Sequence, residues 1–326
     1  MKKVNFLAAI VTIVALAFMT ITSAPKHNFQ YSFSVISDTH LGVDETKYSA
    51  KIAIAKTTIA LNCIKNCFPK DKCIVINGDV VDNYYETSYN SLTRTILNVN
   101  SSKKSLPYIY FNLGNHEFKS NGNGASIKKY YYRSISEFIN KTRYIQAKLN
   151  TASDISHFCR DKNKSYDLQY VQHTPFFFLG SDSITEDSTN DCAYLEPDQL
   201  SYLNHHINRG LSFVFCHQPP YNTVKGSDAS NCISNTNDLL HVLNNHPKAI
   251  IFTAHTHRAF ENYPLTFGNN YSKLGSCPVI TSPSVYRSLE GLHISVYNDL
   301  VYIQGIKYCS NISYTSYPSW SITIHR

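Results

Sequence analysis

Short β-branched or aromatic runs recur along the chain at 33–37, 73–77, 108–113, 176–180, 211–216 and 249–254, each closed by a polar cluster. Continuous apolar runs of this length predict strands buried on both faces. Between the first two, Ile52, Ala55, Ile59 and Cys63 return at helical spacing, so 50–66 is a predicted helix and the chain opens β–α–β. The helical period also marks 89–99 and 127–149, and a further helix is predicted over 196–207, where Pro197 suits a first turn. Beyond these, 278–285, 293–296, 301–306 and 321–325 are predicted strands with no long helix between them. An α/β chain that turns β-rich in this way predicts two packed sheets flanked by helices.

The first 24 residues depart from the pattern. Lys2 and Lys3 precede an uncharged apolar run from Phe6 to Met19, closed by Thr22, Ser23 and Ala24. This is the layout of a secretory signal peptide. The expectation is a signal peptide over 1–24, a single domain over 25–326, and a secreted or periplasmic location. The competing reading is an uncleaved anchor, since Pro25 follows Ala24 directly, and only that reading makes the membrane a partner. No later stretch reaches the roughly 18 apolar residues of a membrane span.

Composition adds limits. With 43% hydrophobic and 16% charged residues the chain is neither a disordered tail nor a membrane bundle, and 24 Tyr and 17 Phe supply a large core. The formal charge of +7 becomes +5 without Lys2 and Lys3, a mild bias toward anionic ligands. There is no basic helix or Lys/Arg run of the kind nucleic-acid binding uses. Nine cysteines, all beyond the leader, fit an oxidising compartment and at most four disulfides. Cys63, Cys67 and Cys73 cluster near one helix end, whereas Cys159, Cys192, Cys232, Cys277 and Cys309 fall in polar stretches suited to loop staples. Cys216, inside an apolar run, is the expected buried thiol. The absence of any C-x-x-C spacing argues against a cysteine zinc site.

The chemistry lies at the strand ends. The first strand runs into Asp38-Thr39-His40, the second into Gly78-Asp79-Val80-Val81-Asp82-Asn83, and the third into Gly114-Asn115-His116-Glu117. Later runs end in His217-Gln218-Pro219-Pro220 and in His255-Thr256-His257. In open α/β sheets the carboxyl edge is where ligands bind. Asp38, His40, Asp79, Asn115, His217, His255 and His257 are seven candidate ligands, too many for one tetrahedral ion and suited to two ions sharing a carboxylate. In an extended segment residues i and i+2 point the same way, which would pair Asp38 with His40 and His255 with His257. The mixed nitrogen and oxygen donors suit two divalent or trivalent transition-metal ions, manganese, iron or zinc. Two such ions predict phosphoester hydrolysis by a bridging hydroxide. His116 is placed to assist the leaving group, and Asp82 to orient its imidazole. Glu117 reads as structural.

D-x-H, G-D-x-x-D-N, G-N-H-E, H-x-P-P and H-x-H in this order resemble the calcineurin-like metallophosphoesterase superfamily over 33 to about 260. The resemblance implies a four-layer α/β/β/α sandwich of two mixed sheets. It also implies one metal held by Asp38, His40, Asp79 and His257, a second held by Asp79, Asn115, His217 and His255, and His116 with Asp82 as the catalytic pair. Ala254 stands where that family usually has glycine. Asn83 stands where the protein Ser/Thr phosphatases carry an arginine, which disfavours that activity, and His40 disfavours the tyrosine-ligated purple acid type. The expected protein is thus an exported dinuclear phosphoesterase acting on small or exposed phosphate mono- or diesters. Tyr221, Arg258, Tyr286 and Arg287 are candidates for contacting the rest of the substrate. The rival is a secreted, metal-stabilised binding module with the same fold and no turnover.

Overall fold

A computed structural model describes residues 27–42, 48–100, 104–119, 131–149, 164–182 and 191–326; the leader and Cys159 lie outside the described residues. Strands β1 (Phe29–Ile36), β2 (Asp71–Asn77) and β3 (Tyr108–Asn112) run parallel and form one side of the first sheet, with β3 at its edge. The second sheet holds β4 (Asp167–Val171), β5 (Thr174–Leu179), β6 (Ser212–Cys216), β7 (Ala249–Thr253), β8 (Tyr271–Leu274) and β9 (Cys277–Thr281), in the order β4-β5-β6-β7-β9-β8. Its central four strands are parallel and its two edges antiparallel. The chain then returns to the first sheet, where β10 (Glu290–Tyr297) pairs antiparallel with β1 and is followed outward by β11 (Leu300–Ser310). Both β12 (Ser313–Thr315) and β13 (Ser321–His325) pair with β11.

Helices α1 (Tyr48–Cys67), α2 (Glu86–Asn100) and α3 (Tyr131–Leu149) cover the outer face of the first sheet through Ile64, Ile96, Ile135 and Phe138. Helices α4 (Pro197–His206) and α5 (Thr236–Leu243) cover the second through Leu203, Leu239 and Leu243. The inner faces meet in an aromatic core, giving the four layers. Alternation along β1 decides what it contributes: Tyr31, Phe33 and Val35 face inward, and Phe33 lies 5.0 Å from Phe176 and 5.1 Å from Phe213, edge to face. Ser32 and Ser34 face the other way. Both donate 2.6 Å hydrogen bonds to Asp71, whose carboxylate also meets His293 at 3.1 Å, and His293 stacks on Phe68. His293 therefore completes a polar network beside the core.

Several expectations need correction. The run 278–285 stops as a strand at Thr281, because Ser284 accepts from the Arg287 N–H and starts a short helix, α6 (Val285–Ser288). Cys73 faces the inter-sheet core, away from Cys63 and Cys67, whose sulfurs are 3.7 Å apart on one face of α1. Cys277 is buried in β9 and Cys309 lies in β11, so neither is in a loop. Cys192 and Cys232 do lie in facing loops, with sulfurs 3.8 Å apart. Cys216 is fully buried, and burial pushes its thiol up to about 12. No helix among the described residues is long and apolar enough to cross a membrane.

Candidate metal centre

The carboxyl ends of β1, β2, β3, β6 and β7 deliver Asp38, His40, Asp79, Asn115, His217, His255 and His257 to one place. Two donor groups form there: Asp38, His40, Asp79 and His257 in one, and Asp79, His217 and His255 in the other. Asp79 belongs to both. Its Oδ1 accepts the main-chain N–H of His116 at 2.9 Å, which leaves Oδ2 turned inward, 3.1 Å from His217 Nε2 and 3.9 Å from His40 Nε2. In the first group His257 Nε2 lies 2.8 Å from Asp38 Oδ1 and 3.3 Å from His40 Nε2.

The backbone reaches this arrangement differently from the extended segments expected. Asp38, His40, Asp79, His255 and His257 have φ of 51°, 45°, 49°, 69° and 54°, five of the nine non-glycine residues with positive φ among the described residues. These left-handed conformations are costly for side-chain-bearing residues and persist where surroundings over-determine them. Here the ligand loops lace together: the Asp38 and His40 N–H groups donate to the carbonyls of Gly78 and Asp79. Pointing is set by these turns and not by strand pleat, so His255 and His257 enter different donor groups. Two glycines make room. A Cβ on Gly78 (φ 85°) would meet the His217 ring, and one on Gly114 would overlap the Asp79 carboxylate and main-chain nitrogen.

His116 flanks the cluster, with Nε2 4.0 Å from Asp79 Oδ2. Its Nδ1 faces the Asp82 carbonyl at 3.0 Å and Asp82 Oδ1 at 3.5 Å. The same Oδ1 is 3.6 Å from His40 Nδ1, so one carboxylate meets both rings. Tyr286 presents its ring edge-on to His40 at 5.8 Å, with the Arg287 guanidinium over the Tyr286 face. Tyr221 is exposed, four residues after His217. Arg258 lies over the Tyr263 ring and packs against the turn at Gly226.

The family model for the calcineurin-like phosphoesterases matches residues 31–259. The chain belongs to that family. Among solved structures, purple acid phosphatase PPD1 from yellow lupin (Lupinus luteus) seeds is similar with a TM-score of 0.56 and 12% identity, over 93% of this chain and 55% of that one. PhoD is similar with a TM-score of 0.53 and 11% identity, over 90% of this chain and 69% of that one. This chain thus spans about half the length of the lupin enzyme, and at such identity the likeness is one of fold. No curated protein matches the chain.

The donor set fits the two metal ions that the family implies. Asp38 Oδ2 and both amide atoms of Asn115 are buried with no hydrogen-bond partner, a cost that a bound cation would remove. His217 and Asp79 face each other at 3.1 Å without the alignment of a hydrogen bond. His217 Nδ1 donates to the Asn77 carbonyl at 2.8 Å, which fixes the ring with Nε2 inward. Charge follows geometry. Burial alone would raise Asp38 and depress His217, but their mutual attraction, with His257 and Asp79, holds Asp38 down to about 2 and lifts His217 to about 10. Burial and the nearby His217 push His255 down to about 4. For His116, Asp79 and Asp82 overcome burial and raise the ring to about 9.

Sequence reasoning missed the supports beneath these residues. Asn77 donates across the sheets to the carbonyls of Cys216 and Phe252, and Asn112 donates to Asn77, Leu179 and Phe215. These two side chains tie the ends of β2 and β3 to the ends of β5, β6 and β7. The only signal was an asparagine at or next to the end of each apolar run. Glu117 accepts four main-chain N–H groups, from Gly114, Asp79, Val80 and Val81, and so clamps the loop that carries Asp79. Asn83, in the place of the family arginine, accepts from the Tyr85 N–H and the Ser88 hydroxyl at the start of α2.

Proposed function

We propose that this protein is an exported dinuclear-metal phosphoesterase that hydrolyses small or exposed phosphate mono- or diesters. The observation that carries the reading is the pair of donor groups sharing Asp79, with His116 at their margin. Asp38, His40, Asp79 and His257 would hold one ion, and Asp79, Asn115, His217 and His255 the other. The mixed imidazole, carboxylate and amide donors suit manganese, iron or zinc. When bound, such a pair activates water and neutralises phosphoryl oxygens.

The chain's own residues supply the rest. His116, raised by its two carboxylates, carries a proton on the nitrogen that faces the cluster and gives it to the departing oxygen. Asp82 holds the other nitrogen and so fixes the ring. The Tyr286 and Arg287 pair beside His40 supports contact with the non-phosphate part of the substrate, with Tyr221 a further candidate; Arg258, engaged with Tyr263, is the weaker one. An intact His116–Asp82 pair favours turnover over a metal-stabilised binding module. Export rests on the apolar leader over 1–24, with cleavage leaving 25–326 as the working domain.

The test is hydrolysis of p-nitrophenyl phosphate and bis(p-nitrophenyl) phosphate with and without Mn²⁺, beside Asp79→Asn and His116→Asn. Asp79→Asn should lose ion pairing and activity together. His116→Asn should keep its metals and slow by roughly 10²–10⁴-fold. A wild-type chain that binds two ions and turns over neither ester would defeat the proposal.

A further inference from the structure

Lys119, three residues beyond His116, entered none of the motifs, yet it is fastened beside the candidate acid. Its main chain is pinned on both sides: the N–H donates to the His116 carbonyl and its own carbonyl accepts from Tyr84 N–H. The ammonium makes a 2.9 Å ion pair with Asp191 and lies 3.4 Å from His116 Nε2. Because Nδ1 of that ring is committed to Asp82, Nε2 is the nitrogen on the cluster side, and Lys119 shares that side. The lysine side chain is 17% exposed and that of His116 23%, so the two lie side by side and partly buried. The two candidate substrate arginines, Arg258 and Arg287, lie over Tyr263 and Tyr286 instead.

We propose that Lys119, held by Asp191, binds a terminal phosphoryl oxygen beside His116 and selects phosphomonoesters over phosphodiesters. The proposal rests on the phosphoesterase reading and sharpens it. A monoester carries close to two charges at neutral pH and three terminal oxygens, where a diester has one charge and two such oxygens. The extra oxygen and charge of the monoester reward a cation placed next to the leaving-group side. An ammonium has three donors. Asp191 takes one and fixes the head group, leaving two for a phosphoryl oxygen in the space beside the His116 ring. Lysine thereby supplies, as a point charge, the cationic contact that Asn83 does not.

The test uses the metal-loaded full chain and compares wild type with Lys119→Met and Lys119→Arg. Affinity for inorganic phosphate is read by calorimetry, and steady-state kinetics are read on both p-nitrophenyl esters. Lys119→Met should weaken phosphate binding and raise KM for the monoester by roughly 10–100-fold. The loss in kcat/KM should be much larger for the monoester than for the diester, metal content should stay at the wild-type level, and Lys119→Arg should recover most of the phosphate affinity. Unchanged phosphate affinity in Lys119→Met, or equal losses on the two esters, would overturn the assignment. A wild type that binds phosphate but hydrolyses neither ester would sink the phosphoesterase reading alone, since phosphate affinity still reports on Lys119.

Discussion

At the scale of single residues, His217 shows how a ligand is prepared. Its Nδ1–H is committed to Asn77, and Asp79 and Asp38 draw a second proton onto Nε2, lifting the ring to about 10. A metal entering at Nε2 must displace that proton. Affinity should therefore tighten with rising pH, by about tenfold per unit from this one group, and level off above the raised value. For the metal-free protein the sign is opposite: the stability this histidine contributes is full below its unfolded value near 6.5 and is lost as pH rises through about 10. Mn²⁺ titrations at pH 6, 7 and 8, each in two buffers of different ionisation heat, read both the affinity and the proton released; pH-independent binding would contradict the account. Residue types and their order made this cluster legible before any coordinates, because Asp, His and Asn at strand ends have few other uses in such number. The left-handed turns at Asp38, His40, Asp79, His255 and His257 were not legible, since nothing in a side chain announces the φ its neighbours will impose.

At the scale of elements, what the sequence revealed depended on burial. Strands such as β2, β6 and β7 are buried on nearly every residue, so their apolar runs stood out. By contrast β4, half-exposed along most of its length, carried too little pattern to be seen, and α5, whose Leu239, Val242 and Leu243 share a buried face, was too short at eight residues to stand out. The short α6 was hidden inside an apparent strand because one serine side chain decides it. Loops between elements carry their own constraint, and Gly114 is the clearest case. Its missing Cβ lets β3's exit loop lie against Asp79, so Gly114→Ala must push either the carboxylate or its backbone aside. A displacement near 1 Å in an active site costs about 10²-fold in rate, and the same shift should lower the metal bound per chain. Metal analysis and kcat on purified Gly114→Ala check this; full metal content with wild-type kcat would show that the loop has slack. The facing loops at Cys192 and Cys232 give a second expectation. With sulfurs 3.8 Å apart, oxidation should join them, and peptide mapping without reductant should recover 192 and 232 as one linked pair.

At the scale of the molecule, two sheets that separately could not hold a metal pair are joined along the edge where the ligands emerge. The aromatic core around Phe33 joins them in the middle, and the Asn77 and Asn112 side chains join them at that edge. These two joints should fail differently. Phe33→Ala removes a fully buried ring and should cost about 3–5 kcal/mol of stability by leaving a cavity. It should leave metal affinity in the folded protein almost untouched, because no candidate ligand leans on that ring. Asn112→Ala strips the Leu179 and Phe215 carbonyls and the Asn77 side chain of their shared donor, a loss of about 1–3 kcal/mol for the buried groups left unpaired. Although the smaller cost in stability, it should be the larger cost in metal binding, because Asn77 is released on one side while its carbonyl orients His217. Denaturant unfolding of the two variants beside Mn²⁺ titration gives both quantities. If the two variants lost metal affinity in proportion to stability alone, the asparagine seam would be ordinary packing and not the part of the fold that sets the geometry of the site.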